Sequence, residues 1–204
     1  MLMRLRARFK LWLFRVRRFS SKYRQGRHTS ADLSKIIITK TASGEISLGD
    51  YVICAGELYS FFNKGVISIG DCSYVGQGTR IWSLSRVDIG NRVLISHDCF
   101  ICDNLTHPVD ARVRHQQYMA KHGYPFPAAI ELEECPITIG DDAWIAAGVT
   151  ILRGVTIGQG SIIAAGSVVT KNIPAGVIAA GNPAIMVKQL ETGHFGGDVV
   201  NGIA

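Results

Sequence analysis

Four of the six histidines, His97, His107, His115 and His122, lie close together in the chain. Three of them fall in a stretch rich in proline and charge that runs roughly from His107 to Pro136. Imidazole titrates near neutral pH, so these side chains suit proton transfer to and from a hydroxyl, or metal ligation. Glu131, Glu133 and Glu134 form an acidic run whose carboxylates could accept sugar hydroxyl hydrogen bonds or simply make a solvated loop face. Cys99 and Cys102 are spaced as a CxxC, but a zinc site needs a second pair and a redox site needs a helix starting just after the strand. Two small residues on a strand is the simpler reading. The five cysteines are odd in number and unevenly spaced, and no cleavable leader is evident, so reduced thiols and a cytoplasmic location are expected.

The elements that hold these groups follow from a repeat. From residue 139 an aliphatic side chain recurs every six positions, at Ile139, Ile145, Ile151, Ile157, Ile163 and Val169. Four residues after each stands a mostly small side chain: Ala143, Val149, Val155, Ser161, Ser167 and, as an exception, Ile173. Leu48-Gly49, Ile69-Gly70, Val75-Gly76, Ile81, Ile89-Gly90, Ile95 and Ile101 give the same unit earlier, with short interruptions. Three such units fit one turn of a stacked solenoid, each sending one aliphatic side chain inward, with parallel strands between turns. Glycine is expected to serve corner backbone angles. No apolar pattern of helical period runs between 66 and 105 or between 137 and 182, which excludes alternating strands and helices there. The repeat stops after Ile101 and resumes at Ile139, and the insertion between them is a natural seat for a site.

The chain has 204 residues, 47% hydrophobic and 19% charged, enough for one core with appendages and unlike a disordered chain. The formal charge of +6 is an uneven average, because residues 1–27 hold ten of the 22 Lys/Arg and no Asp or Glu. The body is therefore mildly acidic, and with no nucleic-acid motif present a nucleic-acid partner is not expected. Leu2, Leu5, Phe9, Trp12, Val16, Phe19 and Tyr23 share one helical stripe, with Arg4, Arg8, Arg15 and Arg18 away from its centre. An amphipathic helix over residues 1–24 could lie on an anionic membrane or pack on its own domain or a neighbouring subunit. No apolar run is long enough to span a bilayer. The expected layout is a basic segment over 1–30, a solenoid over 31–188 with an inserted loop over 107–136, and a tail over 189–204.

Residues 46–188 resemble the hexapeptide-repeat acyltransferases. The stretches Cys102-Asp103-Asn104-Leu105-Thr106-His107-Pro108-Val109-Asp110 and Ile137-Thr138-Ile139-Gly140-Asp141-Asp142-Ala143-Trp144-Ile145 look like the active-site region of maltose and galactoside acetyltransferases. The segment from Ser96-His97-Asp98 to His107 is also similar to O-acetyltransferases of lipopolysaccharide and capsule sugars. The resemblance implies an all-β fold, a left-handed parallel β-helix. It makes His107 the general base and acetyl-CoA the co-substrate, with no metal. The acceptor side does not carry over from it: His97 and His115 could orient His107 or touch the acceptor, or be a solvated strand histidine and a loop histidine, and Asp103 is a further acceptor-side candidate. Trp144 belongs to the pattern, and a backbone N–H near Ala147 would meet the oxyanion. Ala164-Ala165-Gly166-Ser167-Val168-Val169-Thr170-Lys171 and Ala180-Gly181-Asn182-Pro183-Ala184 resemble the coenzyme segment, with Ala165, Thr170 and Lys171 at contact positions and Lys188 able to pair with phosphates. Ile185 stands where the family commonly has Lys or Arg.

A homotrimer is implied as well, with His107 and Lys171 meeting across a subunit boundary. The function implied is transfer of an acetyl group to a sugar hydroxyl in surface-polysaccharide or lipopolysaccharide synthesis. N-acetylation of an amino sugar, a carbonic-anhydrase-like site built on His97, His107 and His115, and a non-catalytic scaffold are the alternatives.

Overall fold

A computed structural model describes residues 22–38 and 43–191. Three sheets form the walls of a prism, and the chain visits them in rotation. The first sheet stacks Tyr23–Gln25, Glu45–Leu48, Val66–Ile69, Arg86–Ile89, Ile137–Ile139 and Thr156–Ile157. The second stacks Ser30–Ala31, Ile53–Cys54, Tyr74–Val75, Leu94–Ile95, Trp144–Ile145, Ile162–Ile163 and Val177–Gly181, and Ala184–Gln189 turns back antiparallel to close the end. The third stacks Ile36–Ile37, Glu57–Ser60, Arg80–Ser83, Phe100–Cys102, Thr150–Ile151 and Val168–Val169.

The six-residue aliphatics become columns. Leu48, Ile69, Ile89, Ile139 and Ile157 pair in register on the first sheet. Cys54, Val75, Ile95, Ile145, Ile163 and Ala179 do so on the second, and Leu58, Ile81, Ile101, Ile151 and Val169 on the third. All are buried in one continuous core. Each buried Ile or Leu contributes roughly 1.5–3 kcal/mol over an exposed one, which is what makes a coil of two-residue strands hold.

The corners keep their polar atoms satisfied. Thr79 Oγ1 donates to the Ser96 carbonyl at 2.7 Å and accepts the Cys99 N–H at 3.0 Å. Ser161 Oγ donates to the Pro174 carbonyl at 2.6 Å. Small polar residues therefore recur at corners because a buried hydroxyl there bonds the backbone of the next coil.

The structure departs from several of these expectations. The glycines that follow the aliphatics lack positive φ; they are needed for space. A Cβ on Gly140 would lie 2.7 Å from the Gln159 nitrogen, and one on Gly158 would lie 2.3 Å from the Ala175 nitrogen. Positive φ belongs to other corner glycines, such as Gly148 and Gly166. The solenoid also begins earlier than residue 31. Tyr23–Gln25 pairs in register with Ile46–Leu48, so Tyr23 sits in a strand, where it packs against the core instead of ending a helix. The rest of the expected N-terminal helix, residues 1–21, lies outside the described residues, as do tail residues 192–204. Gln189, assigned to the tail, ends the last strand. No helix among the described residues is long and apolar enough to cross a membrane. Cys99 and Cys102 are buried free thiols, and burial pushes the Cys102 thiol up to about 11, which keeps it neutral.

Candidate active site

The insertion leaves the third sheet at Asp103, which is fully buried. Its carboxylate accepts hydrogen bonds from Ser83 Oγ, the Leu84 and Ser85 N–H groups and Asn104 Nδ2, at 2.7 to 2.9 Å. With both oxygens engaged, Asp103 ties the insertion to the coil below it and has no access to an acceptor. The assignment of Asp103 to the acceptor side is therefore corrected. The insertion closes where the Cys135 N–H donates to the Asp103 carbonyl at 2.8 Å, and Leu132 is buried beneath it.

A tight turn then presents the imidazole. Asn104 Oδ1 accepts the Thr106 N–H at 2.8 Å, Thr106 takes φ +60, and the His107 N–H donates to the Leu105 carbonyl at 2.6 Å. Three residues on, Asp110 caps helix α1, Ala111–Met119, by accepting from the Arg112 and Val113 N–H groups. That capping pattern satisfies two of the free amides of a helix start.

Helix α1 returns one side chain to the histidine. Gln117 is buried, and its Oε1 lies 2.8 Å from His107 Nδ1, while its Nε2 donates to the Thr106 carbonyl at 3.5 Å. An amide oxygen can only accept, so Nδ1 carries the ring proton and Nε2 is left with a free lone pair. This tautomer is the one a general base needs.

His107 lines a cavity of about 680 Å³ between the insertion and the third sheet. Tyr59, Phe61, Phe62 and Trp82 form its floor, and Gln117, Tyr118, Lys121 and Phe126 face them. The rings brace one another: Tyr59 meets Trp82 edge-on at 5.9 Å and Phe62 meets Phe126 edge-on at 5.9 Å. Trp82 Nε1 donates to Glu57 at 2.7 Å, which fixes the indole plane. Burial, followed by the Glu57 charge, pushes the Tyr59 phenol upward, so it remains a neutral hydroxyl. Rigid aromatic faces of this kind offer large apolar area at little entropic cost.

The other expected residues lie elsewhere. His115 is exposed on α1 and does not line the cavity. His97 is exposed, its Nδ1 3.0 Å from Asp98 Oδ2, and its carbonyl accepts the Gly148 N–H. Ala147 in turn accepts the Gly166 N–H, so His97, Ala147 and Ala165 share one corner of the prism. His97 thus joins the expected coenzyme residues rather than His107. His97, His107 and His115 are not brought together, and among the described residues no group of three or more His, Cys, Asp or Glu is arranged to hold a metal. Trp144 is exposed on the second sheet beside Leu94 and Ile162. Thr170 and Lys171 are exposed at the corner after Val168–Val169, and Lys188 is exposed on the closing strand opposite Ile178. None of these coenzyme candidates lines the cavity. Glu133 pairs with Arg153, which gives the acidic run a structural partner.

The sequence reading missed Gln117 and the aromatic floor. Its one available signal was the cluster Tyr59-Ser60-Phe61-Phe62, which interrupts the six-residue spacing directly beside the strand carrying Trp82.

The family described as "Bacterial transferase hexapeptide (six repeats)" matches residues 136–171. The chain is 33% identical to the putative lipopolysaccharide biosynthesis O-acetyl transferase WbbJ of Escherichia coli (strain K12), over 72% of each chain. It is 28% identical to the putative colanic acid biosynthesis acetyltransferase WcaF of the same strain, over 60% of this chain and 58% of that protein, so it spans less than two thirds of that relative's length. Among solved structures, the hexapeptide-repeat acetyltransferase VCA0836 of Vibrio cholerae, complexed with acetyl coenzyme A, superposes with a TM-score of 0.54 at 26% identity. That match covers 81% of this chain and 72% of the other.

Proposed function

We propose that this chain, which belongs to the hexapeptide-repeat acetyltransferases, moves an acetyl group from acetyl-CoA to a sugar hydroxyl in the assembly of a surface polysaccharide or lipopolysaccharide. The observation that carries the reading is the His107 imidazole, locked by Gln117 with Nε2 as acceptor at the edge of an aromatic cavity. A sugar hydroxyl is a poor nucleophile at neutral pH. His107 Nε2 takes its proton as the oxygen attacks the thioester carbonyl, a form of catalysis worth typically 10²- to 10⁴-fold. The C–O bond forms, the carbonyl oxygen becomes an oxyanion, and the C–S bond then breaks. The departing sulfur takes the proton back from His107, leaving an acetyl ester and the free thiol.

The Ala147 N–H has no hydrogen-bond partner among the described residues and is our candidate for the oxyanion donor. The residues present suit the coenzyme: Ala147 and Ala165 leave the backbone approachable, while Lys171 and Lys188 are exposed cations without an ion pair among the described residues. Phosphates are natural partners for such lysines.

In this reading the left-handed coils assemble as a homotrimer, and the coenzyme of one prism reaches His107 of the next. Two observations support it: the coenzyme candidates stand apart from the His107 cavity, and Ile53, Tyr74, Leu94 and Trp144 form an exposed apolar column on the second sheet. The basic side chains within residues 1–24 then hold the enzyme at an anionic membrane surface, near a lipid-linked acceptor.

The test is thiol release from acetyl-CoA against a panel of sugars and glycan fragments, for wild type and His107→Ala. We expect acceptor-dependent release in wild type and a loss of at least about a hundredfold in the variant. Equal rates in the two proteins with a good acceptor would remove His107 from the mechanism.

A further inference from the structure

The cavity has a charge as well as an apolar floor. Arg114, Gln117 and Lys121 stand at spacings of three and four along α1 and the turn that follows it, and all three line the cavity. That spacing puts side chains on one helical face. Arg114 is pinned there: its Nη1 donates to the Pro108 and Val109 carbonyls, both at 2.9 Å, which leaves its remaining N–H groups unengaged by any residue described. Lys121 is exposed and has no ion-pair or hydrogen-bond partner among the described residues.

Among the described residues no carboxylate lines the cavity to balance these two cations. Three carboxylates of the adjoining segments are engaged by other donors. Glu57 accepts from Trp82, Asp110 caps α1 and Asp103 is buried under four donors. The site therefore combines flat aromatic faces, suited to the C–H face of a pyranose, with a fork-shaped guanidinium and an ammonium on the opposite wall. A neutral sugar would use the first feature only. A carboxylate or phosphate would use both, through charge-assisted hydrogen bonds of a kind about twice as strong as neutral ones.

We infer that the acceptor is an anionic sugar, held by Arg114 and Lys121 through its negative substituent while the ring lies on Trp82, Tyr59 and Phe61. The inference rests on the acetyl-transfer reading above and adds the charge of the acceptor to it.

The experiment compares kcat/KM of the full chain for methyl glucoside and methyl galactoside, the corresponding methyl uronides, and the 1-phosphates of the same sugars. Uronide and phosphate arms separate the two sources of charge. At least one anionic class should exceed its neutral counterpart about tenfold, and that preference should shrink as salt is added. Lys121→Ala and Arg114→Ala should each reduce the anionic-to-neutral selectivity about tenfold, chiefly through KM of the acceptor, and Lys121→Arg should restore it. Arg114 also ties down two carbonyls, so the exposed Lys121 provides the variant whose folding is not in question.

Neutral acceptors preferred, with His107 still required, would overturn the charge inference and leave acetyl transfer intact. A rise in KM for acetyl-CoA in place of acceptor KM would assign the two cations to coenzyme phosphates and overturn it as well. Absence of acetyl transfer to every sugar would overturn both readings.

Discussion

In the proposed acetyl transfer His107 is useful as a base only when one ring nitrogen is free, and a single buried amide sets which one is. Because Gln117 is neutral, it orients His107 without adding a charge beside it. Gln117→Glu would put a carboxylate against Nδ1 and favour the imidazolium, since an opposite charge stabilises the charged form. The base must be neutral to act, so the acid limb of the kcat/KM profile should move to higher pH, by about one unit or more. A pH–rate profile on a single acceptor reads this directly, and an unmoved limb would mean that Gln117 does not govern the base. Gln117→Ala should lower kcat by about 10- to 100-fold, the usual scale for a residue that orients another. Asp103 is a reminder of what a linear motif conceals. It is only four residues from His107, yet three of its four donors come from Ser83, Leu84 and Ser85, one coil away. Nothing in the local sequence announces that a carboxylate is turned inward.

At the scale of the element, the repeat was readable because a coil demands one inward aliphatic every six residues and a small residue at each corner. Ile139, Ile145, Ile151, Ile157, Ile163 and Val169 are all core residues. Helix α1 was not readable, because it buries only Gln117 among its residues and carries no apolar stripe to give it a period. Asp110 was the single local cue, as an N-cap. The first coil was missed because Tyr23 fits the spacing of an amphipathic helix as well as that of a strand. The glycines separate two kinds of constraint that the sequence merges. Gly140→Ala meets the neighbouring backbone at 2.7 Å, and the rigid stack cannot yield without moving a coil. Gly166 has φ +69 and open space around its missing Cβ, so Gly166→Ala pays only the left-handed backbone cost, about 1 kcal/mol. Gly140→Ala should therefore destabilise more, by roughly 1–3 kcal/mol or beyond. Urea unfolding of both variants checks the order, and the reverse order would mean that the coils are looser than this packing implies.

For the whole molecule, the question is how His107 meets residues that its own cavity excludes. Lys171 stands on a coil two turns along the prism from the strand that precedes His107, and Ala147 and Ala165 lie on a different corner. The trimer proposed above, with sites between prisms, would answer this, because each site would draw its base from one subunit and its coenzyme contacts from another. The arrangement has a consequence that does not depend on the identity of the acceptor. His107→Ala lacks the base, and Lys171→Glu, assayed with acetyl-CoA well below its KM, lacks a coenzyme contact; each alone should be nearly inactive. Co-expressed in equal amounts and free to mix, they form sites in which an intact His107 faces an intact Lys171. With random assembly that occurs at about one site in four, so activity should return to roughly a quarter of wild type. If both residues served one site within a single chain, every chain in the mixture would carry one defect and nothing would be regained. Leu94→Arg supplies the control for assembly. A charge in the middle of the exposed apolar column should lower the mass measured by light scattering and abolish the recovery together, whereas recovery in a monomer would rule out the shared site.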